Sequence, residues 1–155
     1  ALPPTLTALD VRGWADGRLG VGIGARLQRG ALPALETLVL RHCTDVLDEG
    51  WGEALCRALR RNQSVRTLDL LGNLLEDNLS VWVAAVLRDN RTLTSVELSN
   101  TDMADSGALA LADALKHNST LTWLSAGENR LSRKAKEKLR SAWSDSGREY
   151  DALQL

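Results

Sequence analysis

A hydrophobic pattern of the form Leu-x-x-Leu-x-Leu recurs six times in this chain, at intervals of 28 to 30 residues. Its first positions are Leu6, Leu35, Val65, Leu93, Leu121 and Tyr150. Periods of this length are typical of stacked-repeat solenoids, in which each repeat buries its apolar face against its neighbours. We therefore predict one domain over residues 1–155, with repeats that begin near 6, 35, 65, 93 and 121, and a closing strand over 150–155.

Each repeat contains the signals of a strand, a turn and a helix. The apolar positions alternate within the pattern, which predicts a short strand. The residue three positions beyond the strand should turn the chain inward: Trp14, Cys43, Asn73, Thr101 and Asn129. A polar side chain there can hydrogen-bond to backbone groups buried in the turn. An apolar stripe at three- to four-residue spacing then predicts a helix. The expected fold is an α/β solenoid with a concave parallel sheet and convex helices.

Two stretches carry the clearest likeness to a known family. They are residues 92–101, which read TLTSVELSNT, and residues 108–118, which read ALALADALKHN. Both resemble the leucine-rich repeats of the ribonuclease-inhibitor-like subfamily. That resemblance implies a horseshoe-shaped arc that holds other macromolecules. The chain is similar to the repeat domains of ribonuclease inhibitor, of cytosolic nucleotide-binding immune receptors, of the activator of the Ran GTPase and of tropomodulin-like actin cappers.

Composition narrows the class of protein further. The chain has 19 basic and 20 acidic residues and a net charge of −1, which argues against a general nucleic-acid or membrane-surface binder. It contains no apolar run of the ~18 residues that a membrane span needs. The two cysteines, Cys43 and Cys56, are fewer than a small disulfide-stapled secreted domain uses. We expect a cytoplasmic protein that does not associate with membranes.

No cluster of residues in the sequence predicts catalysis, a cofactor or a metal site. The glycine run at 17–24 lacks the Gly-Lys-Ser/Thr of a phosphate-binding loop. The adjacent His42 and Cys43 lack further ligands at zinc-binding spacing. The Asn-x-Ser/Thr triplets at Asn62, Asn90 and Asn118 recur every 28 residues at predicted helix ends, where they serve turn chemistry better than glycosylation. We therefore expect no enzyme and no cofactor.

A basic segment lies near the end of the chain. Residues 130–140 hold six basic residues and one acidic residue. Such a segment can bind nucleic acid or an acidic lipid surface. It lacks interleaved aromatic residues, however, and the last helix of a stack needs a polar outer face. We interpret it mainly as a solvated terminal face, beneath which Trp143 should be buried.

The strand residues between the apolar positions should point away from the core and form three columns across the concave sheet. The first column is Ala8, Thr37, Thr67, Ser95 and Trp123, the middle column is Asp10, Val39, Asp69, Glu97 and Ser125, and the third is Arg12, Arg41, Leu71, Ser99 and Gly127. From these we predict the partner-binding residues Trp123, Asp10, Asp69, Glu97, Arg12 and Arg41. Trp123 is the leading candidate, because Trp and Arg are the commonest interface anchors.

The predicted function is that of a protein-interaction module or scaffold that binds a protein partner through the concave face. One alternative is the C-terminal structural or regulatory part of a longer repeat array, of the immune-receptor or cytoskeletal kind. Another is a small-GTPase regulator, which should show an exposed Arg or Asn cluster at a strand-to-helix turn. The first strand lies close to residue 1, so we also expect an N-terminal extension or self-association through the open first strand.

Overall fold

The computed structural model describes residues 2–13, 18–43, 50–74 and 76–155. Strands and helices alternate along these residues. The strands are β1 (Ala8–Arg12), β2 (Thr37–Arg41), β3 (Thr67–Asp69), β4 (Ser95–Glu97), β5 (Trp123–Ser125) and β6 (Leu153–Gln154). The helices are α1 (Arg18–Gln28), α2 (Gly50–Leu59), α3 (Glu76–Asp89), α4 (Asp105–Leu115) and α5 (Arg133–Asp145).

The six strands form one parallel sheet in chain order. Equivalent residues of successive repeats lie side by side, so that Leu38 pairs with Leu68, Leu68 with Val96, and Val96 with Leu124. Each strand reaches its neighbour through one helix, which is the connection that parallel strands require. The predicted α/β solenoid with a parallel sheet is confirmed.

The apolar repeat positions form one continuous core between the sheet and the helices. Leu38, Leu68 and Leu124 have no solvent exposure, and Trp143 of α5 is 0% exposed, as predicted. In β1, by contrast, the equivalent Leu9 is only half-buried, because no strand of the described chain lies on its outer side. Burying each large apolar side chain contributes about 1.5–3 kcal/mol, so the interior repeats are the best-stabilised part of the stack.

Asparagines at the strand-to-helix turns hold neighbouring repeats together. The Asn73 Nδ2 donates to the carbonyl oxygens of Leu40 (2.6 Å) and Leu70 (2.7 Å), and its Oδ1 accepts the Cys43 N–H at 2.9 Å. Asn129 bonds to two repeats in the same way. The predicted role of the polar turn residue is confirmed. Trp14, the expected turn residue of the first repeat, lies outside the described residues.

A second row of asparagines lies at the helix ends. The Asn118 Nδ2 donates to Leu87 O at 2.8 Å, and its Oδ1 accepts the Leu121 N–H at 2.8 Å. Asn62 and Asn90 also accept backbone N–H groups just beyond their helices. None of the three takes a positive φ, so they act through their side chains and not through left-handed backbone. These bonds give the triplets a structural role.

The two ends of the chain differ in detail from the prediction. The expected strand over 150–155 is reduced to β6, and Tyr150 lies in a 3-10 turn (Tyr150–Ala152) with 67% exposure. Arg148 takes the position of a helix-end asparagine: its guanidinium donates to the carbonyl oxygens of Leu121 and Asn118 and lies 5.0 Å from the Trp143 ring centroid. Burial lowers the pKa of Arg148.

The glycine run at the start of the chain belongs in part to α1. Gly24 lies so close to α2 that a Cβ on it would meet the Ala54 carbonyl at 3.1 Å. The absence of a side chain at Gly24 thus allows α1 and α2 to pack closely, and a larger residue would require the backbone of α2 to shift. Ile23 and Leu27 anchor the helix in the core.

Candidate functional site on the concave face

The strand register places the predicted site residues on one surface. Asp10, Val39, Asp69, Glu97 and Ser125 are successive register partners and form the middle column. Trp123 lies beside Ser95 in the first column, and Arg12 lies beside Arg41 in the third. The three columns predicted from the sequence are thus present, and they form what we call the concave face.

At the open first strand, Asp10 and Arg12 pair with each other. The Arg12 Nε and Nη2 donate to the two carboxylate oxygens of Asp10 at 2.9 and 2.8 Å. These hydrogen bonds lower the pKa of Asp10 below its usual value. Both side chains remain largely exposed, so the pair adds little to stability but stays accessible to a partner.

Arg41 and Asp69 form a pair across two repeats. The Arg41 Nε donates to Asp69 Oδ2 at 2.8 Å, and its Nη2 donates to the same oxygen. The other oxygen, Oδ1, accepts the backbone N–H of Leu71 at 3.1 Å. Asp69 is 6% exposed, and both of its oxygens are engaged. Asp69 therefore acts first as an organiser of the strand end and of Arg41, and it offers little surface to a partner.

Glu97 and two serines continue the polar surface. One carboxylate oxygen of Glu97 accepts the Ser99 N–H at 2.7 Å, which repeats the arrangement of Asp69 and Leu71. The Ser99 and Ser125 hydroxyl groups lie 2.7 Å apart and share a hydrogen bond. Among the described residues no cation pairs with Glu97. This carboxylate is half-buried on the sheet surface, and it helps to raise the pKa of Arg41 without forming an ion pair with it.

Trp123 is the large apolar group of the concave face. Its register partner on β4 is Ser95. On the other side of β5, Leu124 pairs with Leu153 of β6, and Ala152 directly precedes Leu153. The indole is half-buried, and its register partner is a small residue. A ring in this setting offers a broad contact surface, and because Trp has few rotatable bonds, little conformational entropy is lost on binding.

The pairing of the charged residues escaped the sequence prediction. Arg12, Arg41, Asp10 and Asp69 were each expected to face a partner, whereas the structure joins them into two ion pairs. A signal was available, because Arg41 in the third column and Asp69 in the middle column of the next strand are diagonal neighbours of opposite charge. β2 has Val39 at the position where β1 has Asp10. Arg41 therefore has no acidic partner on its own strand and pairs with Asp69 of the next repeat.

Two further searches bear on the function. In the ranges that the structure describes, no helix is long and apolar enough to cross a membrane. Within the same ranges, no three His, Cys, Asp or Glu side chains lie together in a way that could hold a metal ion. The buried thiol of Cys56 has its pKa raised to about 12 by desolvation, which makes it a poor nucleophile.

Comparison with known proteins supports the prediction of leucine-rich repeats. A family model described as "Leucine Rich repeat" matches residues 89–112. The chain contains leucine-rich repeats. The matched model describes leucine-rich repeats as such, so the ribonuclease-inhibitor-like subfamily stays a prediction. A search of curated proteins finds no match.

Solved structures show the same architecture. One similar structure is "Leiomodin-1 Actin-Binding Site 2 (ABS2)", with a TM-score of 0.70 and 22% identity over 79% of this chain and 70% of that chain. Another is the tropomodulin C-terminal domain of Caenorhabditis elegans, with a TM-score of 0.68 and 14% identity over 92% of this chain and 84% of that chain. At these identities the likeness establishes the leucine-rich repeat fold.

Proposed function

We propose that this leucine-rich repeat protein is a protein-interaction module or scaffold whose concave face binds a protein partner. The observation that carries the proposal is the half-buried Trp123, which lies beside the small residue Ser95 on the sheet surface. A solvated strand face has no need of an indole there. Aromatic side chains in such open positions commonly anchor a partner.

The charges of the concave face define the rest of the contact. Glu97 lies one column from Trp123 on the adjacent strand, so a partner that covers the ring also meets the carboxylate. Arg12 is exposed at the far edge of the same surface, while Arg41 is held by Asp69. We propose that Trp123 and Glu97 form the centre of the interface. Arg12, Asp10 and Arg41 form its rim, and Asp69 holds Arg41 in place.

The experiment is a comparison of three baits in affinity capture followed by quantitative mass spectrometry. The baits are the native chain, Trp123→Ala and the control Leu109→Ala, whose side chain is exposed on the helical side. A concave-face partner should be retained by the native chain and the control and lost from Trp123→Ala. In a calorimetric titration with that purified partner, Trp123→Ala should weaken binding by about 2 kcal/mol or more. Equal capture by all three baits would contradict the proposal.

A cytoskeletal role is the second candidate, because one of the similar solved structures is an actin-binding site of leiomodin-1. Purified actin is therefore the first defined partner to test, in both monomeric and filamentous form. Sedimentation with filaments and a binding titration with monomers would detect it, and Trp123→Ala would show whether the concave face takes part. An immune-receptor-like array and a small-GTPase regulator remain further alternatives without a specific supporting observation.

Three accompanying proposals concern setting and chemistry. We infer that the protein works in the cytoplasm, since Cys43 and Cys56 are not joined in a disulfide. The continuous core and the single sheet of the described residues support one domain over residues 1–155. We also propose a purely binding role without catalysis or cofactor. Self-association through the exposed edge of β1 stays a prediction.

A further inference from the structure

Helix α5 carries a strongly basic outer face. It contains five cations, Arg133, Lys134, Lys136, Lys138 and Arg140, against two acids, Glu137 and Asp145. Its apolar face, with Ala135, Leu139 and Trp143, is buried against the stack. The preceding helix α4 has the opposite character, with two acids and no cation. The positive charge of α5 is therefore not continued on the adjacent helix α4.

The nearby carboxylates do not neutralise this face. Arg133 pairs with Glu137, and Asp102 is taken by Arg130. Asp105 accepts two hydrogen bonds from Ser132, at the start of α5. Among the described residues, no carboxylate pairs with the side chains of the four remaining cations of α5, which are Lys134, Lys136, Lys138 and Arg140. Lys134 and Lys138 are exposed, and Lys134 helps to lower the pKa of Asp105 without forming an ion pair with it.

Fold stability does not account for these cations. The first turn of α5 contains basic residues and no acidic one, although cations are unfavourable at the positive end of a helix dipole. The outer face of the last helix in a repeat stack must be polar to be soluble, and acidic residues or a mixture of charges meet this need as well as basic residues do. Accumulating one sign of charge at the disfavoured end of the helix points to a requirement other than folding.

We propose that the outer face of α5 is a docking surface for an acidic, extended protein segment, separate from the concave face. Lys134 and Lys138 lie one turn apart on the exposed side, with a rise of about 6 Å between them. Alternate side chains of an extended peptide are spaced by about 6.6 Å. Acidic residues at every second position of such a segment therefore match the row of lysines.

Two other anionic partners fit the surface less well. Single-stranded nucleic acid is held by aromatic residues that stack on the bases, and the aromatic residue of α5, Trp143, is fully buried. An interfacial membrane helix needs exposed apolar residues beside the cations, whereas the apolar residues of α5 face the core. An acidic protein segment requires only the charges and their spacing.

The test is fluorescence anisotropy with a dye-labelled peptide of alternating Glu and Ser, about eight residues long, which spans the ~20 Å of the 13-residue helix. The variant Lys134→Glu/Lys138→Glu should raise the dissociation constant at least about tenfold, as removal of two charge-assisted contacts does. Lys134→Arg/Lys138→Arg should retain binding. The matched control Arg29→Glu/Arg61→Glu, with the same change of net charge elsewhere, should lose little affinity.

The charge-reversed variant should fold, because Glu near the helix start suits the dipole, and far-UV circular dichroism checks this directly. Binding of the peptide that weakens with added salt and depends on Lys134 and Lys138 supports the proposal. Equal losses in the variant and its matched control would overturn it, as would failure to bind the peptide at low salt. Tighter binding to a dT oligonucleotide or to phosphatidylserine vesicles, lost in the same variant, would overturn it in favour of those ligands.

Discussion

The side chain of Asn90 joins two repeats, and its removal tests how the stack is held together. Its Nδ2 donates to Leu59 O (2.7 Å) and Asn62 O (3.0 Å) of the preceding repeat. Its Oδ1 accepts the backbone N–H groups of Thr92 and Leu93, both at 2.8 Å. At 1% exposure, Asn90 is beyond the reach of solvent. Asn90→Ala should therefore cause a large loss of stability.

The size of the loss follows from what each group keeps. The carbonyl oxygens of Leu59 and Asn62 retain another donor each, from Asn62 N and Thr92 Oγ1. The N–H groups of Thr92 and Leu93 lose their acceptor, which costs about 1–3 kcal/mol for each buried group. With the two inter-repeat bonds also gone, we expect a decrease of about 3–5 kcal/mol in the free energy of unfolding.

Asn62 provides the matched control, since it occupies the same position one repeat earlier. It accepts the N–H groups of Ser64 and Val65, but among the described residues its amide donates to Ser64 alone. Asn62 is also half-buried, so water can replace part of what is lost. We expect Asn62→Ala to lower the free energy of unfolding by about 1–2 kcal/mol.

Urea unfolding followed by circular dichroism measures both variants, with the slope of the transition as a check that the stack still unfolds cooperatively. Thermal unfolding should place Asn90→Ala about 6 to 20 °C below the native chain. Equal losses of free energy in the two variants would refute this reasoning, because the bonds between repeats would then add nothing to those within one repeat.

Two smaller predictions concern a turn and a pH effect. Gly72 has φ +73°, and a Cβ on it would overlap the His42 imidazole, so Gly72→Ala should destabilise the chain by about 2 kcal/mol or more in urea unfolding. His42→Ala in the same background should recover only the part due to the clash. The hydrogen bonds from Ser132 lower the pKa of Asp105. Asp105 should stabilise the fold fully at pH values above its ordinary pKa of 3.8. This stabilisation should be lost as the pH falls through the lowered pKa of the folded state. Asp105→Asn should flatten that part of the stability curve measured by acid titration; an unchanged curve would contradict the assignment.

Much of the fold could be predicted because the same pattern of apolar residues occurs in successive repeats. The alternation at Leu38, Leu68 and Leu124 fixes both the strand and its buried side, and the equal spacing fixes the parallel register. The last strand was harder. Tyr150 matches the spacing of the pattern but is exposed. The spacing alone does not show that Arg148 holds the preceding chain by a hydrogen bond to the Leu121 carbonyl oxygen.

The candidate site was predicted in position but not in chemistry. Strand alternation alone places Trp123 and Glu97 on the concave face. Which charges remain available depends on side-chain reach between strands: Arg41 finds Asp69 on the next repeat, while Glu97 binds its own strand end. Such pairings depend on which side chains are close in space and on the rotamers they adopt, and the sequence alone does not specify either.

These ion pairs also bear on where along the solenoid charged side chains are available to a partner. In the first three repeats the concave charges satisfy one another, through Arg12 with Asp10 and Arg41 with Asp69. A partner would have to compete with those contacts, and surface ion pairs yield little net energy in exchange. In the last repeats the half-buried indole of Trp123 lies on the sheet side of the stack, and the exposed Lys134 and Lys138 of α5 lie on the helical side. The same repeats have fully buried strand leucines and asparagine-linked turns. If both surfaces bind as we propose, each stands on a well-packed part of the stack, which reduces the conformational entropy lost when a partner binds.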